Sequence, residues 1–110
     1  MKAIIIYGPP GSGKTQKLNE IAGHYNNPFF QTGKKLNFSK VAPTTDVILI
    51  DECTPNIIPY LLNFRNGFFV TKGGKTFECN ALIVIATQQL PKFLPNGIVK
   101  LIKLRGVAPY

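Results

Sequence analysis

The chain has 110 residues, 45% of them hydrophobic, and its 13 Lys and Arg residues against 5 Asp and Glu residues give a formal net charge of +8. This length predicts one domain, residues 1–110, with enough apolar residues for a core. No run approaches the roughly 18 apolar residues of a membrane helix. One histidine and two cysteines outside any CxxC spacing exclude a metal cluster of these residues. We therefore expect a soluble, intracellular protein with reduced cysteines.

The high positive charge indicates a polyanionic partner, because a small domain with a net charge of +8 attracts nucleic acid or phosphate groups in general. The alternative is that the charge only keeps the protein soluble.

The first half of the chain predicts a strand, a glycine-rich loop, a helix and a second strand. Residues 3–7 (AIIIY) are apolar and rich in β-branched side chains, which is typical of a strand buried on both faces. The loop follows at 8–13, and apolar residues recur at helical spacing over 14–25. Residues 29–32 predict a short strand, and 33–46 a loop with one turn.

The second half predicts three more strands and a hairpin. Residues 46–51 (DVILID) and 81–87 (ALIVIAT) are buried strands, and 98–104 is the last strand. A short helix is expected over 54–64, and a β-hairpin is inserted near 68–79. Several fully apolar strands separated by helices and loops predict an α/β fold, with a mainly parallel sheet sandwiched by helices.

The loop GPPGSGKT has the spacing G-x-x-x-x-G-K-[ST] of a P-loop NTPase and lies between a predicted strand and a predicted helix, the context that this motif needs. Its glycines let backbone N–H groups turn onto phosphate oxygens, and the helix start adds its positive dipole end. Lys14 would reach the β- and γ-phosphates of ATP, and the Thr15 hydroxyl would ligand Mg²⁺. The predicted nucleotide-binding residues are Gly8, Pro9, Pro10, Gly11, Ser12, Gly13, Lys14 and Thr15.

The stretch VILIDE ends a buried strand with two acids. Asp51 is expected to hold Mg²⁺, and Glu52 to polarise the attacking water as a base. A glutamate in that place favours hydrolysis over phosphoryl transfer to a small molecule. The alternative is a pair of surface acids that happens to follow a core strand.

Two further polar positions are catalytic candidates. Thr87 or Gln88, at the end of the strand 81–87, would lie between the acidic and the phosphate-binding elements and hold the attacking water or sense the γ-phosphate. Of the two arginines, Arg105 is a better candidate than Arg65 for an arginine finger, a residue often supplied by a neighbouring subunit. A loop residue and a surface cation are the respective alternatives.

The predicted hairpin carries basic residues beside aromatic ones, which suits single-stranded nucleic acid. Lys72 and Lys75 flank the glycine pair at its tip, and we expect them to contact DNA or RNA. Phe68, Phe69 and Phe77 lie along its arms. For these rings we favour packing against the core over stacking on bases.

Taken in order, GPPGSGKT, VILIDE and VTKGGKTFECNALIVIATQQLP resemble the superfamily-3 helicase domain of the Rep replication-initiator proteins of small circular single-stranded DNA viruses and related plasmids. The resemblance covers nearly the whole chain, and the hairpin with its spacing is the specific part. It implies that Lys14 and Thr15 are the Walker A phosphate and metal residues, and that Asp51 and Glu52 form the Walker B motif.

The resemblance further implies that Lys72 contacts single-stranded DNA, that Gln88 occupies the sensor position and that Arg105 lies in the finger region. Glutamine departs from the asparagine usual at the sensor. We expect neither the nicking domain nor the small ring-forming helical domain of these initiators, so the chain resembles an isolated motor core.

The first expectation for function is therefore ATP hydrolysis with Mg²⁺, coupled to binding or translocation on single-stranded DNA. A homo-oligomeric ring or other replication proteins would be further partners, no membrane is expected to be one, and the protein would act in the cytoplasm, or in the host nucleus for a eukaryotic virus. One alternative is a nucleotide-binding accessory module with weak or no ATPase activity. A nucleotide kinase is disfavoured, because such enzymes use several arginines.

Overall fold

A computed structural model describes residues 3–94 and 99–105. It contains seven strands, two α-helices and three short 3-10 turns. The strands are β1 (Ala3–Tyr7), β2 (Pro28–Thr32), β3 (Val47–Cys53), β4 (Phe68–Lys72), β5 (Lys75–Cys79), β6 (Leu82–Thr87) and β7 (Val99–Lys103). The helices are α1 (Lys14–Ala22) and α2 (Ile58–Leu61), and the 3-10 turns are Phe38–Lys40, Pro55–Ile57 and Leu62–Phe64.

The five apolar strands form one sheet in the order β2-β3-β6-β1-β7, and every neighbouring pair is parallel. This confirms the predicted α/β class with a mainly parallel sheet. The last predicted strand, 98–104, is present as β7, although Ile98 lies outside the described residues. Strand β6 lies between β1 and β3, so the loop that follows β1 and the acids that end β3 flank the end of β6.

Alternate residues of the strands face opposite sides of the sheet, and each side is covered. On one side, Leu18 and Ala22 of α1 pack against a cluster of strand residues that includes Leu49 and Val84. The opposite side, which includes Ile50 and Ile85, is covered by α2 with its flanking turns and by the β4–β5 hairpin. Helix α1 therefore covers one face of the sheet, whereas α2 and the hairpin together cover the other.

The predicted helix 14–25 is too long, since α1 ends at Ala22. The N–H groups of His24 and Tyr25 reach back only three residues, to the carbonyls of Ile21 and Ala22 at 3.0 and 3.1 Å. The Asp46 carboxylate then accepts the N–H groups of residues 26 and 27 at 2.9 and 3.0 Å. Asp46 thus caps this turn, and β3 begins one residue later than predicted.

The predicted helix 54–64 is divided into a 3-10 turn, the four-residue α2 and a second 3-10 turn. Pro59 lies inside this segment. Because proline has no N–H and its ring crowds the preceding turn, it prevents one continuous α-helix.

The β4–β5 hairpin is present as predicted. Lys72 pairs with Lys75 across the glycine pair, whose φ angles of 60° and 78° suit a two-residue turn. Phe68 and Phe77 pack against the core, as expected, whereas Phe69 is 73% exposed. The prediction for the rings is therefore confirmed for two of them and wrong for Phe69.

Within residues 3–94 and 99–105, the structure holds no helix with the length and apolar character needed to cross a bilayer.

Candidate active site

A cavity of about 610 Å³ opens at the carboxyl edge of the sheet. In parallel α/β sheets this edge is where ligands bind, at the point where the strand order reverses. Four segments meet there: the start of α1, the turn after β2, the end of β3 and the end of β6. The lining residues are Lys14, Thr15, Lys34, Asp51, Glu52, Cys53, Thr54, Pro55, Ala86, Thr87, Gln88 and Gln89.

The loop between β1 and α1 curls around the Lys14 ammonium group. Lys14 Nζ donates to the carbonyl oxygens of Gly8 and Pro9 at 2.9 and 2.8 Å and lies 3.4 Å from Ser12 Oγ. Gly13 caps α1 with φ 90° and carries no capping side chain, so the first N–H groups of the helix are free for another acceptor. The loop thus gathers a cation and unpaired backbone donors, the two groups that bind an anion.

Thr15 and Asp51 join the two sides of the cavity. The Thr15 hydroxyl donates to Asp51 Oδ2 at 2.7 Å. Hydroxyl and carboxylate oxygens are the hard ligands that Mg²⁺ prefers, and this cation keeps several waters when it binds proteins. Both residues therefore fit the metal role predicted for them, with the remaining ligands left to water and a bound phosphate.

Asp51 and Glu52 belong to β3, whereas the prediction ended the strand at Asp51. The pairing of β3 with β6 shifts register between Ile50 and Cys53, because β3 carries one residue more there than β6. Glu52 sits in this bulge with φ 56°, and its N–H donates to Asp51 Oδ1 at 2.8 Å. Bulges of this kind redirect side chains beside active sites.

The Glu52 carboxylate makes an ion pair with Lys34, with 3.0 Å between Oε2 and Nζ. Sequence reasoning assigned 33–46 to a loop and missed Lys34. The Gly-Lys pair directly after β2 is visible in the sequence, but the position of β2 beside the acid-bearing strand β3 is known only from the structure.

The end of β6 lies between the other two elements, as predicted. Thr87 is 1% exposed, and its hydroxyl donates to the Gln89 carbonyl at 3.0 Å. Gln88 is exposed and lines the cavity. Of the two candidates, Gln88 is therefore the side chain open to a ligand, while its sensor role stays a prediction.

The other predicted site residues lie away from the cavity lining. Arg105 is exposed and follows Leu104, whose N–H donates to the Tyr7 carbonyl at 2.8 Å beside the loop. Arg65 is half-buried and donates to a backbone carbonyl of its own turn. Lys72 and Lys75 are exposed at the hairpin tip. Action of Arg105 on a neighbouring subunit and nucleic-acid contact by the two lysines stay predictions.

Both cysteines are free and buried. Burial, and secondarily the charge of Asp51, raises the pKa of Cys53 to about 12, and burial also raises the pKa of Cys79. Such thiols are unreactive at neutral pH. No group of three or more His, Cys, Asp or Glu residues in the described ranges could hold a metal.

No family model matches the chain. A stretch of 31 residues is 55% identical to a protein named ATP-dependent zinc metalloprotease FtsH of Ureaplasma parvum serovar 3, and covers 28% of this chain and 4% of that protein. A stretch of 30 residues is 53% identical to a protein of the same name from Malacoplasma penetrans, and covers 27% and 4% respectively. The chain matches about 4% of the length of these relatives, which is too little to show its family.

Proposed function

We propose that this chain is a P-loop NTPase domain that binds ATP with Mg²⁺, hydrolyses it and couples the reaction to single-stranded DNA, as in the superfamily-3 helicase core that its motifs resemble. One observation carries the proposal: Lys14, which directly follows the glycine-rich loop, the Thr15–Asp51 pair and Glu52 all line a single cavity. The word ATP-dependent in the names of the two partial relatives is consistent with it.

The loop residues would bind the triphosphate. Lys14 would exchange the carbonyls of Gly8 and Pro9 for phosphate oxygens, and the free N–H groups at the start of α1 would bind the same anion. Thr15 and Asp51 would hold Mg²⁺, which when bound neutralises phosphate charge.

Glu52 would orient the attacking water and accept its proton. Water adds to the γ-phosphorus while the bond to the β–γ bridging oxygen breaks, which releases ADP and inorganic phosphate. Gln88, which is exposed on the cavity wall, would contact the γ-phosphate or the water.

The exposed lysines at the hairpin tip support a nucleic-acid partner. Lys72 and Lys75 are directly opposite each other on β4 and β5, so two positive charges lie side by side at the hairpin tip. Phe69, exposed on the same hairpin, is available for stacking on a base.

A second candidate function is nucleotide binding without turnover. The observation that favours it is the ion pair between Glu52 and Lys34, which occupies the carboxylate that the hydrolytic reaction needs.

ATP turnover with and without single-stranded DNA tests the proposal. The matched variants are Lys14→Ala and Lys17→Ala, because Lys17 is a lysine of α1 that pairs with Glu20 and does not line the cavity. We expect Lys14→Ala to abolish nucleotide binding and Lys17→Ala to leave binding and turnover unchanged. Tight binding with no turnover in the parental protein would select the second candidate, and no binding at all would refute both.

A further inference from the structure

The turn that follows β2 is fixed against the end of β3. Gly33 N–H donates to the Asp51 carbonyl at 2.6 Å, and Lys35 N–H closes the turn on the Thr32 carbonyl at 3.2 Å. A Cβ atom at Gly33 would lie 2.9 Å from Cys53 Cα, a backbone atom that cannot move aside. Only glycine fits this close approach, and the next residue, Lys34, is thereby held beside the cavity.

Lys34 is one of two cations, with Lys14, among the described residues that line the cavity. Its ammonium group contacts Glu52 at 3.0 Å, but the two side chains are 75% and 54% exposed. Ion pairs so exposed to water are weak. An anion that carries more negative charge than the single Glu52 carboxylate, bound in the same cavity, can therefore compete with Glu52 for Lys34.

We propose that Lys34 is a second phosphate-binding cation. When a nucleoside triphosphate binds, the Lys34 ammonium group breaks its ion pair with Glu52 and binds the terminal phosphate instead. The inference rests on the proposed function and adds a residue that the motifs do not contain. Lys34 neighbours Glu52, the residue assigned to the water that attacks the γ-phosphate, so the terminal phosphate is the group within its reach.

The exchange links the presence of that phosphate to the freedom of Glu52. While the cavity is empty, or holds a diphosphate, Glu52 stays paired with Lys34. Once a triphosphate draws Lys34 away, the Glu52 carboxylate is free to orient water. The pair would thus make the site respond to the third phosphate before hydrolysis begins.

Equilibrium titrations with a fluorescent non-hydrolysable ATP analogue and with fluorescent ADP test the proposal. The variants are Lys34→Ala, Lys34→Arg and, as the matched control, Lys35→Ala, because Lys35 is an exposed lysine of the same turn that does not line the cavity. Because Lys34→Ala removes one charge-assisted hydrogen bond to the terminal phosphate, we expect it to weaken binding of the analogue about tenfold. ADP affinity changes less than about twofold, Lys34→Arg retains the preference, and Lys35→Ala behaves as the parental protein.

A double-mutant cycle tests the exchange itself. Glu52→Gln removes the partner of Lys34, so the affinity for the ATP analogue rises, and this gain disappears when Lys34→Ala is also present. A gain that persists without Lys34 would overturn the exchange, because it would report only the loss of a negative charge near the phosphates.

The outcomes separate this inference from the proposed function. If the parental protein binds the analogue and Lys14→Ala does not, while Lys34→Ala matches Lys35→Ala, the role of Lys34 is refuted and the proposed function stands. The same holds if Lys34→Ala weakens the analogue and ADP equally. A parental protein that binds neither nucleotide would refute the proposed function and the role of Lys34 with it.

Discussion

The Thr15 hydroxyl donates to Asp51 Oδ2 at 2.7 Å, which joins the first turn of α1 to the end of β3 across 36 positions of sequence. The two oxygens predicted to hold a metal are therefore direct neighbours. This contact depends on the strand order of the sheet. Helix α1 follows β1 and Asp51 lies near the end of β3, and only β6 lies between these two strands.

We predict that Asp51→Asn removes the magnesium dependence of nucleotide binding. The amide keeps the size of the side chain but loses the charge that a hard cation requires, so affinity for the ATP analogue with Mg²⁺ falls about 10- to 100-fold. Titrations with Mg²⁺ and with EDTA measure the effect. Glu78→Gln, a charge removal on the hairpin, is the control, and a magnesium effect of parental size in Asp51→Asn would refute the metal role.

We predict that Glu52→Gln binds ATP at least as well as the parental protein but turns it over about 10²- to 10⁴-fold more slowly, the usual contribution of a general base. The substitution preserves shape and removes the proton acceptor. Steady-state phosphate release together with nucleotide titration separates the two effects. Turnover at the parental rate would mean that Glu52 does not activate water.

The apolar strands could be predicted from sequence because a strand buried on both faces needs a continuous apolar run, as in AIIIY and ALIVIAT. The positions of Lys14 and Thr15 beside the cavity could be predicted for a related reason, because the spacing of a phosphate-binding loop is local in the chain. Asp51 and Glu52 followed from the end of a buried run. In each case the signal lies within one short segment.

The features that escaped sequence reasoning are contacts between distant segments. Lys34 gains its place from the close packing of Gly33 on Cys53, which no local pattern records. Asp46 ends the turn after α1 because its carboxylate meets N–H groups about twenty residues earlier in the chain. Phe69 points to solvent because β4 alternates sides, with Val70 facing the core.

The hairpin lysines make a prediction about salt. If Lys72 and Lys75 each contact one phosphate of single-stranded DNA, replacing both by Ala lowers the slope of log affinity against log salt by about 1.4. Fluorescence anisotropy with a labelled oligonucleotide at several salt concentrations measures this slope. The control, Lys17→Ala with Lys100→Ala, removes the same charge from α1 and β7, and equal effects of the two pairs would deny the hairpin a specific role.

We predict that Gly33→Ala lowers the free energy of unfolding by about 1–3 kcal/mol, because its methyl group would overpack against the backbone at Cys53. Gly23→Ala is a matched control. Gly23 has φ −63°, and its Cβ would meet nothing closer than 3.4 Å, so alanine there is neutral or stabilises by about 0.4–1 kcal/mol. Urea unfolding of both variants distinguishes the sites, and equal stabilities would contradict the close packing.

The buried thiol of Cys53 predicts how stability changes in alkali. Its pKa is about 12 in the folded protein, raised from 9.0 chiefly by burial and then by the charge of Asp51, so the folded chain keeps a proton that the unfolded chain loses above pH 9. This contribution to stability is full below pH 9 and is lost as the pH rises towards 12.

The loss has an upper limit of about 1.4 kcal/mol per pH unit. Urea unfolding of the parental protein and of Cys53→Ala, from pH 8 to about pH 10.5 with reductant, measures it. Titration of lysines and tyrosines affects both proteins alike and cancels in the difference. We expect the stability advantage of the parental protein over Cys53→Ala to shrink above pH 9, whereas a difference that stays constant with pH would mean that Cys53 ionises as readily in the folded chain as in the unfolded one.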